Sequence, residues 1–257
     1  MPDSPRWRRL LACAALSLLG LGAVAGGCGD SSGRTTLSVL AASSTREVMR
    51  ELGVAYHREH RDVQVRFTFG GSQEMAARLP ERDAGDVLVT ADEVTMNGAD
   101  ENLTGRRRVI AHNSMTIVVR PGNPRRIRGL SDLTRPGLRV ALAASAVPAG
   151  RYARKIFAGA GITVRSSAEE ISVRAVLDRV RTGEADAGLV YITDLKAAGV
   201  AASSVPIPAL ENVTATYAAG AVKESANEKE AARFVSWLTS PVARQLFNKY
   251  GFVTPAP

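Results

Sequence analysis

Cysteine, histidine and aromatic side chains are all scarce in this 257-residue chain, with two Cys, three His and 5% Phe, Trp and Tyr. Cys13 lies in an apolar leader, so the processed chain keeps Cys28 alone and forms no internal disulfide. His57 and His60 stand i,i+3 on a helical stretch, where a pair can chelate a metal. They fall on its polar face, and no third ligand is positioned by sequence. No P-loop is present, and the one spaced glycine cluster (Gly20, Gly22, Gly26) lies in the leader. No G-x-S-x-G turn offers an activated serine. These absences argue against an enzyme and against a resident cofactor.

Charge is uneven but not diagnostic of nucleic acid. The formal net charge is +8, and removal of the leader with Asp3, Arg6, Arg8 and Arg9 leaves +6. The basic residues are scattered, the densest run being Arg106-Arg107-Arg108, and no aromatics interleave with them. A nucleic-acid partner is therefore not expected. Such a field can instead draw in a small anion.

What is present begins with the leader itself. Three arginines precede an apolar run from Leu10 to Ala25, the pattern of a secretory signal. The run ends in "VAGGC", which resembles the lipobox of bacterial lipoproteins, with Ala25 where Leu is usual. Residues 1–28 read as a lipoprotein signal peptide and 29–35 as a flexible tether. A transmembrane anchor is the alternative, although the run is short for spanning a bilayer. The expected location is the outer face of the cytoplasmic membrane or the periplasm.

Beyond residue 35, strands and helices alternate. Residues 36–41, 63–69 and 86–90 read as strands, separated by helices at 44–60 and 72–79. This βαβαβ opening argues for a parallel sheet with ligand chemistry at the strands' carboxyl ends. A second alternation starts at "MTIVVR" (115–120). It continues through a strand at 138–142, helices at 149–158 and 172–181, and a strand at 187–192. A returning strand at 215–222 precedes two closing helices, at 227–239 and 241–249. Alternation that restarts halfway suits two α/β lobes joined by crossing strands, with one uninterrupted doubly wound sheet as the alternative.

Four helix starts follow strand ends: "SSTRE" at 43, "GSQE" at 71, "PAGRYA" at 148 and "SVRAVL" at 172. Each presents unpaired backbone N–H groups and the positive end of a helix dipole. A site built from such donors, with hydroxyls from Ser43 and Ser72, suits a fully ionised oxyanion. Taken singly, each serine reads first as a helix cap worth about 1 kcal/mol.

The stretches "LAASST" (40–45), "FGGSQEMAARL" (69–79), "DVLVTAD" (86–92), "VPAGRYA" (147–153) and "SVRAVLDRVRTGEADAGLVYITD" (172–194) carry a resemblance. So do "EAARFVSWLTS" (230–240) and "YGF" (250–252). Over about residues 36–253 the chain resembles the periplasmic molybdate-binding proteins of ABC transporters. That resemblance implies a two-lobed α/β Venus flytrap of type II with two crossing strands. Lobe 1 would be 36–113 with 217–257, and lobe 2 would be 114–216. It further implies a monomer that captures molybdate, and also tungstate, and presents it to an ABC permease from a lipid anchor at Cys28. The ligand contacts it implies are Ser43, Ser72, Ala149, Val173 and Tyr191, the last through its phenol.

The chain departs from the family's pattern in three places. Gly71-Ser72 stands where Ser-Ser is common, "LAASA" (142–146) where Gly-Asp-Pro is common, and Ala218 follows Tyr217 where Pro is common. A receptor for another oxyanion such as sulfate is the alternative within the fold. Iron receptors usually carry adjacent tyrosines, whereas Ile192 follows Tyr191. An exported hydrolase using Ser43 or Ser72 is the alternative outside it. Arg151 and Arg154 are expected at the surface, steering anions.

Overall fold

The computed structural model describes residues 34–199 and 202–256. The leader, Cys28 and most of the expected tether lie outside the described residues. Among those described, no helix is long and apolar enough to cross a membrane.

The chain opens with β1 (Thr35–Ala42), a 3-10 turn (Ser43–Thr45), α1 (Arg46–Glu59), β2 (Val63–Gly70), α2 (Ser72–Ala77) and β3 (Val87–Thr90). β1 pairs in parallel with both β2 and β3. The burial follows the sequence pattern. β3 is buried throughout because helices cover both faces, whereas edge strand β2 alternates in and out. α1 buries the stripe Val48, Met49, Leu52, Gly53 and Tyr56, and its Tyr56 ring meets Phe234 and Trp237 edge-on. Those two rings belong to α7 (Glu228–Trp237). His57 and His60 are absorbed into this packing. His57 Nδ1 lies 2.6 Å from the Val63 carbonyl, and His60 stacks on Tyr56. Among the described residues no cluster of three metal-ligating side chains forms.

The middle of the chain runs through α3 (Glu93–Gly98) into β4 (Leu103–Val119). β5 (Val140–Ala143), α4 (Pro148–Gly159), β6 (Ala168–Glu170), α5 (Val173–Arg181), β7 (Ala187–Tyr191), α6 (Ile192–Ala198) and β8 (Ser203–Pro206) follow. β9 (Thr214–Val222) returns to the first sheet, and α7 and α8 (Pro241–Lys249) close the chain. The strand order is β2-β1-β3-β9-β4-β7-β5-β6, with β8 also on β4.

β4 joins the two halves. Its first part, Leu103 to Ser114, pairs with β9, and its last five residues pair with β7 and β8. The sequence pattern gave a strand only from residue 115, whereas the strand begins at Leu103. Its first half hides from periodicity because register shifts between Thr104 and Arg108, and between Val109 and Ala111, break the alternation. Gly105 at φ 64° and three arginines sit at the first of these shifts. β6 and β8 are short pairings, and α3 and α6 fall within strand-to-helix turns that the pattern left unassigned.

Candidate oxyanion site

The four helix starts that follow strand ends meet at one small cavity. Ala42, Ser43 and Ser44 reach it from the end of β1, and Gly71 and Ser72 from the start of α2. Val147, Pro148 and Ala149 come from the start of α4, Val173 from the start of α5, Ala91 from the end of β3 and Tyr191 from the end of β7. All five residues expected as contacts, Ser43, Ser72, Ala149, Val173 and Tyr191, thus face the same space and are buried. Sequence reasoning missed Ser44, Ala91 and Val147, which line it too.

The local backbone explains the donors. In α4 the first bond back to the preceding turn is Arg151 N–H to the Val147 carbonyl at 3.0 Å. The N–H groups of Ala149 and Gly150 therefore have no partner inside the helix, and Pro148 at the first position carries none. In α5 the Ser172 hydroxyl accepts from Ala175 N–H at 3.3 Å, leaving the Val173 N–H uncapped. In α2 the first bond is Met75 N–H to the Gly71 carbonyl at 2.9 Å, so the Ser72 N–H is free of the helix.

The serines are not caps. The residue preceding α2 is Gly71, the one preceding the turn at 43 is Ala42 and the one preceding α1 is Thr45. None of these three helical starts has a side-chain cap. The Ser72 hydroxyl instead accepts from Ala91 N–H at 3.0 Å, which leaves its own proton to donate elsewhere. Ser44 Oγ is engaged with Tyr217 Oη at 2.9 Å. Ser72→Ala is therefore expected to reduce stability by about 1 kcal/mol, through the orphaned Ala91 N–H. It should also weaken anion binding by about tenfold. Chemical denaturation and calorimetric titration of the same variant check the two effects separately.

Tyr191 is the most informative member. Its hydroxyl is buried and finds no hydrogen-bond partner in the protein. Burial raises the phenol well above its ordinary pKa, helped by Tyr217, Tyr152 and the carboxylates of Asp194 and Asp92. It therefore keeps its proton and is an O–H donor at every physiological pH. Three further aromatics gather behind it: Tyr152 and Tyr217 meet the Tyr191 ring edge-on, and Phe252 meets Tyr217.

Asp194 lies beneath Tyr191, accepting from its backbone N–H at 3.1 Å. Its other carboxylate oxygen has no partner. Burial pushes Asp194 up to about 7, against the lowering pull of Arg174 and the Tyr191 N–H. The native state thus holds a proton that the unfolded chain releases near pH 4. The associated stability is complete below that pH and is lost as pH rises to about 7. Melting temperatures of the unliganded chain between pH 4 and 8 should fall along this window, and Asp194→Asn should flatten the slope.

No charged side chain lines the cavity. No histidine does either, so neither serine has a base to activate it, and hydrolase chemistry lacks its second component. Arg151 is not a free surface cation in this structure: its guanidinium pairs with Asp92, with Nε donating to Oδ2 at 2.7 Å. Arg154 is likewise paired, with Glu169 at 2.7 Å. A larger opening of about 630 Å³ lies elsewhere, beside Asp86, Glu101 and Lys223. It is an open polar groove with carboxylates on its walls, unsuited to a dianion. The cavity where the helix starts meet is far smaller than this groove. Uncharged and lined by free N–H and O–H donors, it offers the chemistry of an inorganic oxyanion site.

Residues 37–253 match the family described as bacterial extracellular solute-binding protein. The molybdate-binding protein ModA of Mycobacterium tuberculosis is 34% identical over 229 residues, 88% of this chain and 88% of that protein. Among solved structures, the periplasmic molybdate-binding protein of Azotobacter vinelandii superimposes with a TM-score of 0.74 at 22% identity. That alignment covers 86% of this chain and 100% of that one. The sulfate-binding protein SubI of Mycobacterium tuberculosis H37Rv gives 0.75 at 19% identity, over 87% and 88% of the two chains. At such identities the two structures establish the fold, the two-lobed α/β architecture of type II periplasmic binding proteins. With the match spanning nearly all of the described residues, the chain belongs to the bacterial extracellular solute-binding protein family.

Proposed function

We propose that this protein is the extracytoplasmic receptor of an ABC importer for molybdate, and that it also accepts tungstate. Residues 36–113 with 217–257 form one lobe and 114–216 the other, and the anion binds where they face each other. Ser43 and Ser72 donate hydroxyl and backbone protons, Ala149 and Val173 backbone N–H groups, and Tyr191 its phenol. The reading is carried by the buried, unpartnered Tyr191 hydroxyl at the cavity where four helix starts meet. The 34% identity to a molybdate-binding protein supports the same ligand. The chain acts by binding, with no chemical step. Tethered as a monomer through a lipid on Cys28, it hands the anion to its permease.

Selectivity follows from the donors. A site of N–H and O–H groups leaves the proton of the phosphate dianion facing another donor, unpaired, which disfavours phosphate. Sulfate, with shorter bonds to oxygen, is disfavoured by donor spacing. Molybdate and tungstate are alike in size and charge, and donors alone separate them poorly. Closure follows because a ligand held by both lobes favours the closed state.

A thermal-shift series with molybdate, tungstate, sulfate, phosphate and chloride tests the assignment. Molybdate and tungstate at a hundred times their dissociation constants should stabilise the chain by about 2.7 kcal/mol. An equal shift with sulfate at the same concentration would instead make the protein a general or sulfate receptor.

A further inference from the structure

We propose that Arg151 and Arg174 form a two-point latch that holds the lobes together, each reaching from the second lobe to a carboxylate on the first. The proposal rests on the two-lobe reading above. Arg151 on α4 donates from Nε to Asp92 Oδ2 at 2.7 Å and from Nη2 to Thr95 Oγ1 at 2.6 Å. Its Nη2 also lies 2.6 Å from Asp92 Oδ2. Arg174 on α5 donates to Glu47 Oε2 on α1 at 2.7 Å.

The placement of these four residues relative to the cavity is systematic. Arg151 is two positions after Ala149, and Arg174 directly follows Val173. Asp92 directly follows Ala91, and Glu47 lies in the first turn of the helix entered through Ser43 and Ser44. The groups that close the lobes are therefore carried by the same helix starts and strand ends that surround the anion. A third contact, from Gln73 Nε2 to the Ile171 carbonyl at 2.9 Å, joins the same edges.

Asp92 is suited to a partner that comes and goes. Its side chain is only 4% exposed, and a buried carboxylate left without a cation is costly. Its Oδ1, however, accepts from Thr95 N–H at 3.0 Å, at the positive end of α3. That bond lies within the first lobe and persists when Arg151 departs. With the lobes apart, both guanidinium groups lose their first-lobe carboxylates, while Arg151 keeps its bond from Nη1 to the Ala146 carbonyl. They belong to a lobe in which residues 114–216 carry fourteen Arg and Lys against eight Asp and Glu. The open cleft thus attracts a dianion. On closure the first lobe's carboxylates take both guanidinium groups, and the anion is left to the uncharged donors.

Small-angle scattering and calorimetry test the latch. Because the latch closes the unliganded wild type part of the time, the unliganded double variant Arg151→Gln/Arg174→Gln should have a larger radius of gyration than the unliganded wild type, and added molybdate should not fully restore compactness. An identical radius in both proteins overturns the proposal. Arg151→Gln and Asp92→Asn should each lower molybdate affinity by about tenfold, with the pair together no worse than the weaker single variant. Strictly additive losses overturn the pairing. Arg154→Gln, whose partner Glu169 lies in its own lobe, should leave affinity unchanged. If the double variant expands but no form, wild type included, binds molybdate, the latch stands and the molybdate assignment fails.

Discussion

Replacing Tyr191 by phenylalanine is expected to make the unliganded chain more stable and its grip on molybdate weaker. The two effects have one cause. The phenol hydroxyl is buried without a protein partner, and such a group costs about 1–3 kcal/mol of stability. Phenylalanine keeps the ring contacts with Tyr152 and Tyr217 and removes only that penalty. In the complex the same hydroxyl would donate to a dianion, and hydrogen bonds to charged groups contribute about 1.5–3 kcal/mol. Affinity should therefore fall by about ten- to a hundredfold. Urea denaturation of the free variant and calorimetric titration with molybdate measure the two signs separately. A tyrosine that merely packs with a wet hydroxyl would give little change in either.

Gly150→Ala is expected to damage both stability and binding. A Cβ at this position would stand 2.0 Å from the Ala144 carbonyl oxygen and 2.4 Å from that of Ala143. Both obstacles are backbone, held in turn by β5 and by the bond from Ala144 N–H to the Glu170 carbonyl at 2.9 Å. Neither can swing aside as a side chain would. Forcing an extra carbon into such a site costs about 1–3 kcal/mol, and rigid neighbours place it at the upper end. The first turn of α4 must back away from β5, taking the Ala149 N–H out of the cavity. An unfolding midpoint lowered at unchanged denaturant slope, with molybdate affinity lowered at least tenfold, is the expected pair of results. Unaltered stability would mean that the loop at 143–146 does not hug the helix.

The glycine of "VPAG" is thus a close-approach residue, and the sequence made the motif visible without giving that reason. What the sequence showed best were the elements with unbroken periodicity. α1, α5 and the buried strands β1, β3 and β7 all fall within one or two residues of their expected bounds. The helix starts were legible because Pro148, Ser172 and the Gly71-Ser72 pair mark them chemically. The first half of β4 was not, because its bulges shift the register among Arg106, Arg107 and Arg108. The capping role open to each serine was a further expectation that the structure does not bear out. Capping is the commonest use of a helix-start serine, yet Ser72 turns instead to Ala91 just past the end of β3, a contact between residues 19 apart. Arg151 looked like a surface cation for the same reason. Its partner Asp92 is 59 positions away, and no local pattern joins them. Asp194 carries the faintest signal, a single acidic residue in the third turn position after the "AGLVY" strand.

The most direct test of the anion cage is an anomalous difference map, collected at the molybdenum absorption edge from crystals grown with molybdate. The account predicts one dominant peak, within hydrogen-bonding reach through its oxygens of Ser43, Ser72, Ala149, Val173 and Tyr191. A peak in the groove beside Asp86, or none in the cavity at saturating molybdate, would contradict it.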